Sequence, residues 1–275
     1  MNRIGLAVLA VVSLAAGCAR SGDRGTEPLL VYCGSSMRAP IDEIAKLYQE
    51  KYGRRIDLSF DDSGTILIQA EQRKAGDGLV VHDPFGAMAE NRGLVESTTP
   101  VALLVPSIGV KIGTKGEQEV KTLGDLAKPG LRLGIPDTRY STCGNVLVAM
   151  LKKANIEEAV MKNASLTSRS SGDLVNALGL GSVDAIFAWD ALIRRDKTLK
   201  LIPIEPRYEV DAVTSATGKS YHVRNIYITI SVLKSTGDSS AVRKLVELAR
   251  SPEGQAVFKR QGFTTVSEIP AQYSP

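Results

Sequence analysis

Short apolar runs alternate along the chain with longer amphipathic segments, a pattern typical of an α/β fold. The run 29–33 is continuously apolar, as in a buried strand, and apolar residues then recur at helical spacing over 41–53. Pro40 stands where the first turn of that helix tolerates a proline. The dipeptide Asp83-Pro84 predicts another helix start, with the aspartate as its cap. The further predicted strands are 55–60, 78–82, 131–135, 164–167 and 185–188, and the further predicted helices are 64–75, 144–154, 172–180, 239–250 and 252–261.

Two series of strands and helices are separated by an apolar stretch from Val101 to Ile112, which is long enough to cross between two lobes. A second crossing is predicted at Asn225 to Val232. We therefore expect an α/β fold with two lobes, each a mixed, mostly parallel sheet flanked by helices, joined by two crossover strands. Parallel sheets bind ligands at the carboxyl ends of their strands, so two facing sheets predict a ligand cleft. The predicted boundaries are 28–104 with 226–275 for lobe 1, and 105–225 for lobe 2.

The N-terminal segment is predicted to be a secretory signal. One basic residue, Arg3, precedes an apolar run at 4–16 that is too short for a membrane span. The run ends in Leu-Ala-Ala-Gly-Cys, which resembles the bacterial lipobox. That resemblance implies that residues 1–17 are removed, that Cys18 carries lipid, and that the small polar residues 18–27 form a tether. An ordinary secretory signal with a chance cysteine is the alternative.

Composition and motifs exclude several classes of function. The formal charge of +4 comes from 34 basic and 30 acidic residues scattered without a basic stripe, which argues against nucleic-acid binding. The chain contains no nucleophile elbow, phosphate loop, His-Glu-x-x-His or Cys-x-x-Cys motif, and its two histidines are His82 and His222. We therefore expect no catalysis, no cofactor and no resident metal. Cys33 and Cys143 are expected to be free thiols, or at least dispensable.

Small hydroxyl residues fall at four predicted strand-to-helix turns, two in each lobe. A helix start presents unpaired N–H groups and the positive end of the helix dipole, and hydroxyls add neutral donors, so such turns suit an anion. Helix capping is the alternative for any one turn, but four turns together favour an anion site. The residues are Ser35, Ser36, Ser63, Ser141, Thr142, Ser170 and Ser171.

Several segments resemble the periplasmic molybdate-binding proteins of ABC importers. Segment 31–45 has the family's opening strand, small-residue turn ending in serine, and helix. Segment 59–65, Ser-Phe-Asp-Asp-Ser-Gly-Thr, is similar to its turn after the second strand. The segment 252–263 resembles the closing helix of many such proteins. Many molybdate binders have a tyrosine after the last strand of the second lobe, and this chain lacks it. Ala-Trp-Asp at 188–190 stands there instead and is similar to the sequence at this position in some tungstate and molybdate relatives.

The resemblance implies a type II periplasmic binding protein fold and a lipoprotein that binds a small tetrahedral oxyanion, molybdate or tungstate, for an ABC importer permease. Ser36 and Ser63 match the two ligand serines of the first lobe, the hydroxyl pairs 141–142 and 170–171 match the second-lobe turns, and Trp189 joins the predicted site. The implied protein is a monomer. It is anchored through lipid to the outside of the cytoplasmic membrane or to the outer membrane, facing the periplasm or exterior.

Acidic residues near the predicted cleft leave other solutes open. A carboxylate beside a bound dianion is repulsive, so Asp62 or Asp83 is expected to cap a helix instead. The alternative is a cation site with hard oxygen ligands. Its candidate ligands are Asp61, Asp62, Asp83, Asp137 and Asp190. Sulfate, phosphate, an organic acid, and a non-transport sensor or adhesin role also remain alternatives.

Overall fold

The computed structural model describes residues 27–214, 218, 220–222 and 226–266, so the predicted signal peptide and Cys18 lie outside the described residues. The strands are β1 Leu29–Gly34, β2 Ile56–Asp61, β3 Gly78–His82, β4 Val95–Leu104, β5 Pro106–Lys111, β6 Leu133–Pro136, β7 Ala164–Ser168, β8 Ala185–Trp189, β9 Leu199–Pro203, β10 Ala212–Thr214, β11 Ser220–His222, β12 Ile226–Leu233 and β13 Thr264–Thr265. The helices are α1 Arg38–Tyr52, α2 Ser63–Arg73, α3 Phe85–Asn91, α4 Lys115–Glu119, α5 Thr142–Ala154, α6 Glu157–Asn163, α7 Ser171–Gly179, α8 Asp190–Arg195, α9 Ser239–Arg250 and α10 Pro252–Arg260.

The strands form two mixed sheets flanked by helices. The first sheet has the order β13-β4-β12-β3-β1-β2, and the second has the order β7-β6-β8-β5-β9. Parallel pairing joins β1 to β2 and β3, and it joins β6 to β7 and β8; the other pairs are antiparallel. The sheets are mixed, as predicted, but they are not mostly parallel, because β4, β5, β9, β12 and β13 pair only in the antiparallel sense. In each sheet the carboxyl ends of the parallel strands lie at one edge and lead into helices. A ligand site is expected at that edge.

The chain passes between the sheets at Val105, which separates β4 from β5. The N–H of Asp190 donates to the carbonyl of Val105 at 2.8 Å, and the N–H of Val105 donates to Asp190 Oδ1, also at 2.8 Å. Asp190 is completely buried, and burial raises its pKa from 3.8 to about 6. This reciprocal pair fixes the end of β8 beside the crossing.

Amphipathic helices bury their apolar stripes against the sheets. On α1 the buried side chains include Ile41, Ile44 and Tyr48, which follow the helical spacing seen in the sequence. Each apolar side chain of this size contributes about 1.5–3 kcal/mol when it is fully buried. Tyr48 also donates its hydroxyl to the carbonyl of Ala241 at 3.0 Å, which ties α1 to α9.

The predicted helix start at Asp83-Pro84 is partly wrong. The helix α3 begins at Phe85, Pro84 is the residue before it, and the peptide bond between Asp83 and Pro84 is cis. Asp83 does not cap this helix, because its Oδ2 accepts the N–H of Tyr227 on β12 at 3.1 Å. The carboxylate of Asp83 therefore accepts a hydrogen bond from the backbone of the neighbouring strand β12 instead of capping the helix.

No helix of the described residues combines the length and apolar character needed to span a membrane.

Candidate functional site

A cavity of about 270 Å³ lies between the two sheets, at the edge where the parallel strands lead into helices. Its volume is slightly below the ~300–1,000 Å³ typical of sites for drug-sized ligands, so it suits a small solute. All eight residues predicted to bind the ligand line this cavity: Ser35, Ser36, Ser63, Ser141, Thr142, Ser170, Ser171 and Trp189. Their ligand-binding role stays a prediction, but the structure brings them together.

The first wall is formed by the turns after β1 and β2. Ser35 and Ser36 lie in a short 3₁₀ turn that precedes α1, and Ser63 is the first residue of α2. Gly34 allows these turns to approach, because a Cβ atom at Gly34 would lie 2.5 Å from the Oγ of Ser63. The glycine thus permits the hydroxyls of both turns to face one space.

The second wall is formed by the first residues of α5 and α7. Ser141 and Ser170 precede these helices, and Thr142 and Ser171 are their first residues. Within the described residues the amides of Thr142, Cys143 and Gly144 donate to no protein acceptor. Free amides at a helix N-terminus, with the positive end of the helix dipole, attract an anion.

Helix capping explains only one of the predicted hydroxyls. Ser170 accepts the N–H of Asp173 at 3.4 Å, as a capping serine does. The N-cap of α2 is Asp62, and Ser141 makes no side-chain cap bond. Among the described residues the hydroxyls of the others have no hydrogen-bond partner in the protein. Those residues are Ser35, Ser36, Ser63, Ser141, Thr142 and Ser171.

Two carboxylates line the cavity, but protein donors already occupy them. Asp62 caps α2 as predicted, since its Oδ1 accepts the amides of Gly64 and Thr65 at 3.1 and 3.0 Å. Its Oδ2 accepts the hydroxyl of Thr65 at 2.7 Å and Nη2 of Arg169 at 3.2 Å. Asp61 accepts the amide of Asp62 at 2.8 Å through Oδ1. The guanidinium of Arg169 offsets the charge of Asp62, whereas the donors to Asp61 are neutral.

The ion pair between Asp62 and Arg169 joins the two walls, because Asp62 follows β2 and Arg169 follows β7. The two side chains are 35% and 53% exposed, so solvent screens the pair and its contribution to stability is at most about 1 kcal/mol. It places one guanidinium beside the cavity.

The structure adds lining residues that the sequence did not indicate as ligand-binding. They are Gly64, His82, Phe85, Tyr140 and Arg169. His82 ends β3, while Tyr140 and Arg169 lie in turns of the second sheet. No local signal distinguishes such loop residues from solvated ones, and only the packing of the two sheets brings them to the cavity.

The cation alternative loses most of its proposed ligands. Asp83, Asp137 and Asp190 do not line the cavity. Asp137 accepts the amides of Arg139 and Tyr140, both at 2.8 Å, and thereby stabilises its own turn. Within the part of the chain that the structure describes, no group of three or more His, Cys, Asp or Glu residues could hold a metal ion.

A second cavity of about 240 Å³ adjoins the first and shares Ser35, Ser36 and Ser170 with it. The guanidinium groups of Arg38 and Arg195 lie along its wall. Asp42 also lines this second cavity, so its charged lining residues are two arginines and one aspartate.

Both cysteines of the described chain are free and buried, as expected. Burial raises the pKa of both the Cys33 and the Cys143 thiol well above the ordinary value. Since the thiolate is the reactive form, neither residue brings nucleophilic or redox chemistry to the site.

Comparison with known proteins gives the fold and a general role. A model of the family described as bacterial extracellular solute-binding protein matches residues 29–264. A relative from Haemophilus influenzae, named only as a binding protein, is 24% identical over 237 residues, which cover 86% of this chain and 90% of the relative.

Two solved structures are similar over almost the whole described chain. The periplasmic molybdate-binding protein of Azotobacter vinelandii has a TM-score of 0.68 at 16% identity, covering 88% of this chain and 99% of that one. A periplasmic binding protein of Actinobacillus pleuropneumoniae with fructose-6-phosphate bound has a TM-score of 0.67 at 14% identity, covering 88% and 86%. These likenesses confirm the predicted α/β type II binding protein fold.

Proposed function

The chain belongs to the bacterial extracellular solute-binding protein family, and on that premise we propose that its solute is a tetrahedral oxyanion held between the two lobes. Proteins of this family bind a small ligand outside the cytoplasm, deliver it to an ABC permease and are not enzymes. The proposed lobes are 28–104 with 226–275, and 105–225.

The observation that carries this proposal is the convergence of unpartnered hydroxyls and helix starts on one cavity. Ser63, Thr142 and Ser171 are at most 7% exposed, and their hydroxyls have no partner among the described residues. Hydroxyls that line a cavity and have no protein partner are available to donate hydrogen bonds to a ligand. Each of these residues is also the first residue of a helix, where the dipole favours negative charge. The cavity is thus prepared for an anion with several acceptor oxygens.

The sequence resemblance favours molybdate or tungstate, and the similarity to a protein with a bound sugar phosphate favours a phosphate group. All of these are tetrahedral anions whose oxygens accept hydrogen bonds, so the hydroxyl cluster suits each of them. Discrimination between these anions must therefore come from lining side chains that accept hydrogen bonds from the ligand.

Trp189 offers a direct test, because it is the single tryptophan of the chain and lines the cavity. Titration of the purified protein with phosphate, molybdate, tungstate or sulfate is expected to change its fluorescence saturably for at least one anion. Calcium, magnesium and zinc chlorides are the matched cation titrations, with sodium chloride as the control for ionic strength. A saturable response to a cation and to none of the anions would refute the proposal.

We further propose that Cys18 carries lipid and tethers the protein, as a monomer, to the cell envelope. Cys18→Ala should prevent both the cleavage after residue 17 and the attachment of lipid. Mass spectrometry of membrane fractions checks this. A variant that is processed normally and stays in the membrane would contradict the lipid anchor.

A further inference from the structure

His82 is a buried residue whose ring lines the cavity. Its side chain lies between Phe85 and Trp189, with ring centroids 5.5 and 5.9 Å away, and the residue is 8% exposed. These two aromatic contacts hold the imidazole in one orientation. A fixed polar group in the wall of a small cavity determines which ligands fit there.

The hydrogen bond on one side of the imidazole fixes its tautomer. Nδ1 lies 2.7 Å from the backbone oxygen of Asp83. A carbonyl oxygen can only accept, so Nδ1 carries the proton and donates it. Burial lowers the pKa of His82, so the ring is neutral at neutral pH. Nε2 therefore presents a lone pair, and within the described residues it has no hydrogen-bond partner.

Nε2 is a neutral acceptor without a protein donor, which distinguishes it from the other polar side chains of the cavity. The hydroxyls can rotate to donate or accept, and Asp61 and Asp62 already accept protein donors. A neutral imidazole nitrogen without a proton can only accept. A fully deprotonated oxyanion offers it no proton, and an oxygen of such an ion beside Nε2 would place two acceptors face to face in a site sheltered from water.

We propose that His82 selects an oxyanion that carries its own O–H group, with hydrogen phosphate as the simplest example, over fully deprotonated ions such as molybdate and sulfate. This inference rests on the oxyanion-binding function proposed above and specifies its ligand. It departs from the molybdate expectation of the sequence resemblance. The ligand O–H donates to Nε2, and the remaining oxygens accept from the hydroxyls and helix amides.

The test compares three anions on three proteins by calorimetry at pH 7.5. The wild type is expected to bind phosphate at least about tenfold more tightly than sulfate or molybdate. His82→Phe keeps a ring between its aromatic neighbours but removes the acceptor. Because a hydrogen bond within a charged complex is involved, phosphate affinity should fall by about 10- to 150-fold, while sulfate and molybdate affinities stay the same or rise. His82→Gln restores an acceptor oxygen and should recover part of the phosphate preference.

Ser63→Ala is the matched control, because its hydroxyl donates to any oxyanion and its loss should weaken all three anions by a similar factor. Thermal unfolding of each variant shows that it is folded. If His82→Phe does not fold, the order of anion affinities in the wild type carries the test, because tighter binding of sulfate or molybdate than of phosphate contradicts the role of His82.

Two outcomes overturn the role of His82 while leaving the proposed function intact: tighter binding of sulfate or molybdate than of phosphate by the wild type, or an equal loss of all three anions in His82→Phe. Failure of all anions to bind the wild type would instead contradict the proposed function itself.

Discussion

Replacing Ser63 with alanine separates a ligand-binding hydroxyl from a structural one. Ser63 is 5% exposed, begins α2 and lines the cavity, but Asp62 supplies the cap of that helix. Its hydroxyl has no partner among the described residues. Without ligand, Ser63→Ala therefore removes no hydrogen bond within the protein, and the free energy of unfolding should change by less than about 0.5 kcal/mol.

The effect on binding should be much larger. In the complex the hydroxyl donates to an anionic oxygen, a bond worth about 1.5–3 kcal/mol. Each 1.4 kcal/mol is a factor of ten, so Ser63→Ala should raise the dissociation constant by roughly 10- to 150-fold. Isothermal titration calorimetry measures this change, and thermal unfolding without ligand measures stability.

Ser251 provides a matched control with the opposite expectation. It caps α10 by accepting the amide of Gly254 at 3.2 Å, and it does not line the cavity. Ser251→Ala should cost about 1 kcal/mol of stability, or roughly 2–4 °C in Tm for a chain of this size, with ligand affinity unchanged. If Ser63→Ala instead loses stability like Ser251→Ala and keeps its affinity, Ser63 is structural and the argument from unpartnered hydroxyls is refuted.

Three further predictions concern stability and reactivity. Burial raises the pKa of Asp190 from 3.8 to about 6, so between these values the folded protein binds a proton that the unfolded chain has released, and stability falls as pH rises through this window. Asp190→Asn should remove this pH dependence. Between pH 4 and pH 7 the free energy of unfolding, measured with urea, should therefore fall by up to about 3 kcal/mol less in the variant than in the wild type. An equal fall in the two proteins would contradict this prediction. Gly144→Ala places a Cβ 2.0 Å from the backbone oxygen of Asp137, so it should weaken anion binding and lower Tm, and normal affinity would show that this end of α5 does not contact the ligand. Cys33 and Cys143 should be unreactive toward a thiol reagent until the protein unfolds, and a two-dalton mass increase on reduction of the native chain would reveal a disulfide instead.

The order of the elements and the hydroxyl turns could be predicted from the sequence because both depend on local patterns. The apolar runs and the helical spacing on α1 are retained in the structure, and the serines after β1 and β2 lie where a strand meets a helix. Their convergence could be expected as soon as two facing parallel sheets were inferred, since the carboxyl ends of such strands share an edge.

Features that depend on contacts between distant segments could not be predicted. The sequence predicts that Asp83 caps a helix, but its carboxylate accepts an amide N–H from β12, which is far along the chain. Arg169 looks like a solvated residue until packing brings it within 3.2 Å of Asp62. The tautomer of His82 is equally invisible in the sequence, because it follows from a carbonyl 2.7 Å from Nδ1.

The structure of the protein with its anion tests the central claim most directly. We expect one oxyanion in the cavity between the sheets. Its oxygens should lie within about 2.5–3.0 Å of the hydroxyls of Ser36, Ser63, Thr142 and Ser171. An anion bound only elsewhere on the surface, or a metal ion coordinated by Asp61 and Asp62 in this cavity, would contradict the account.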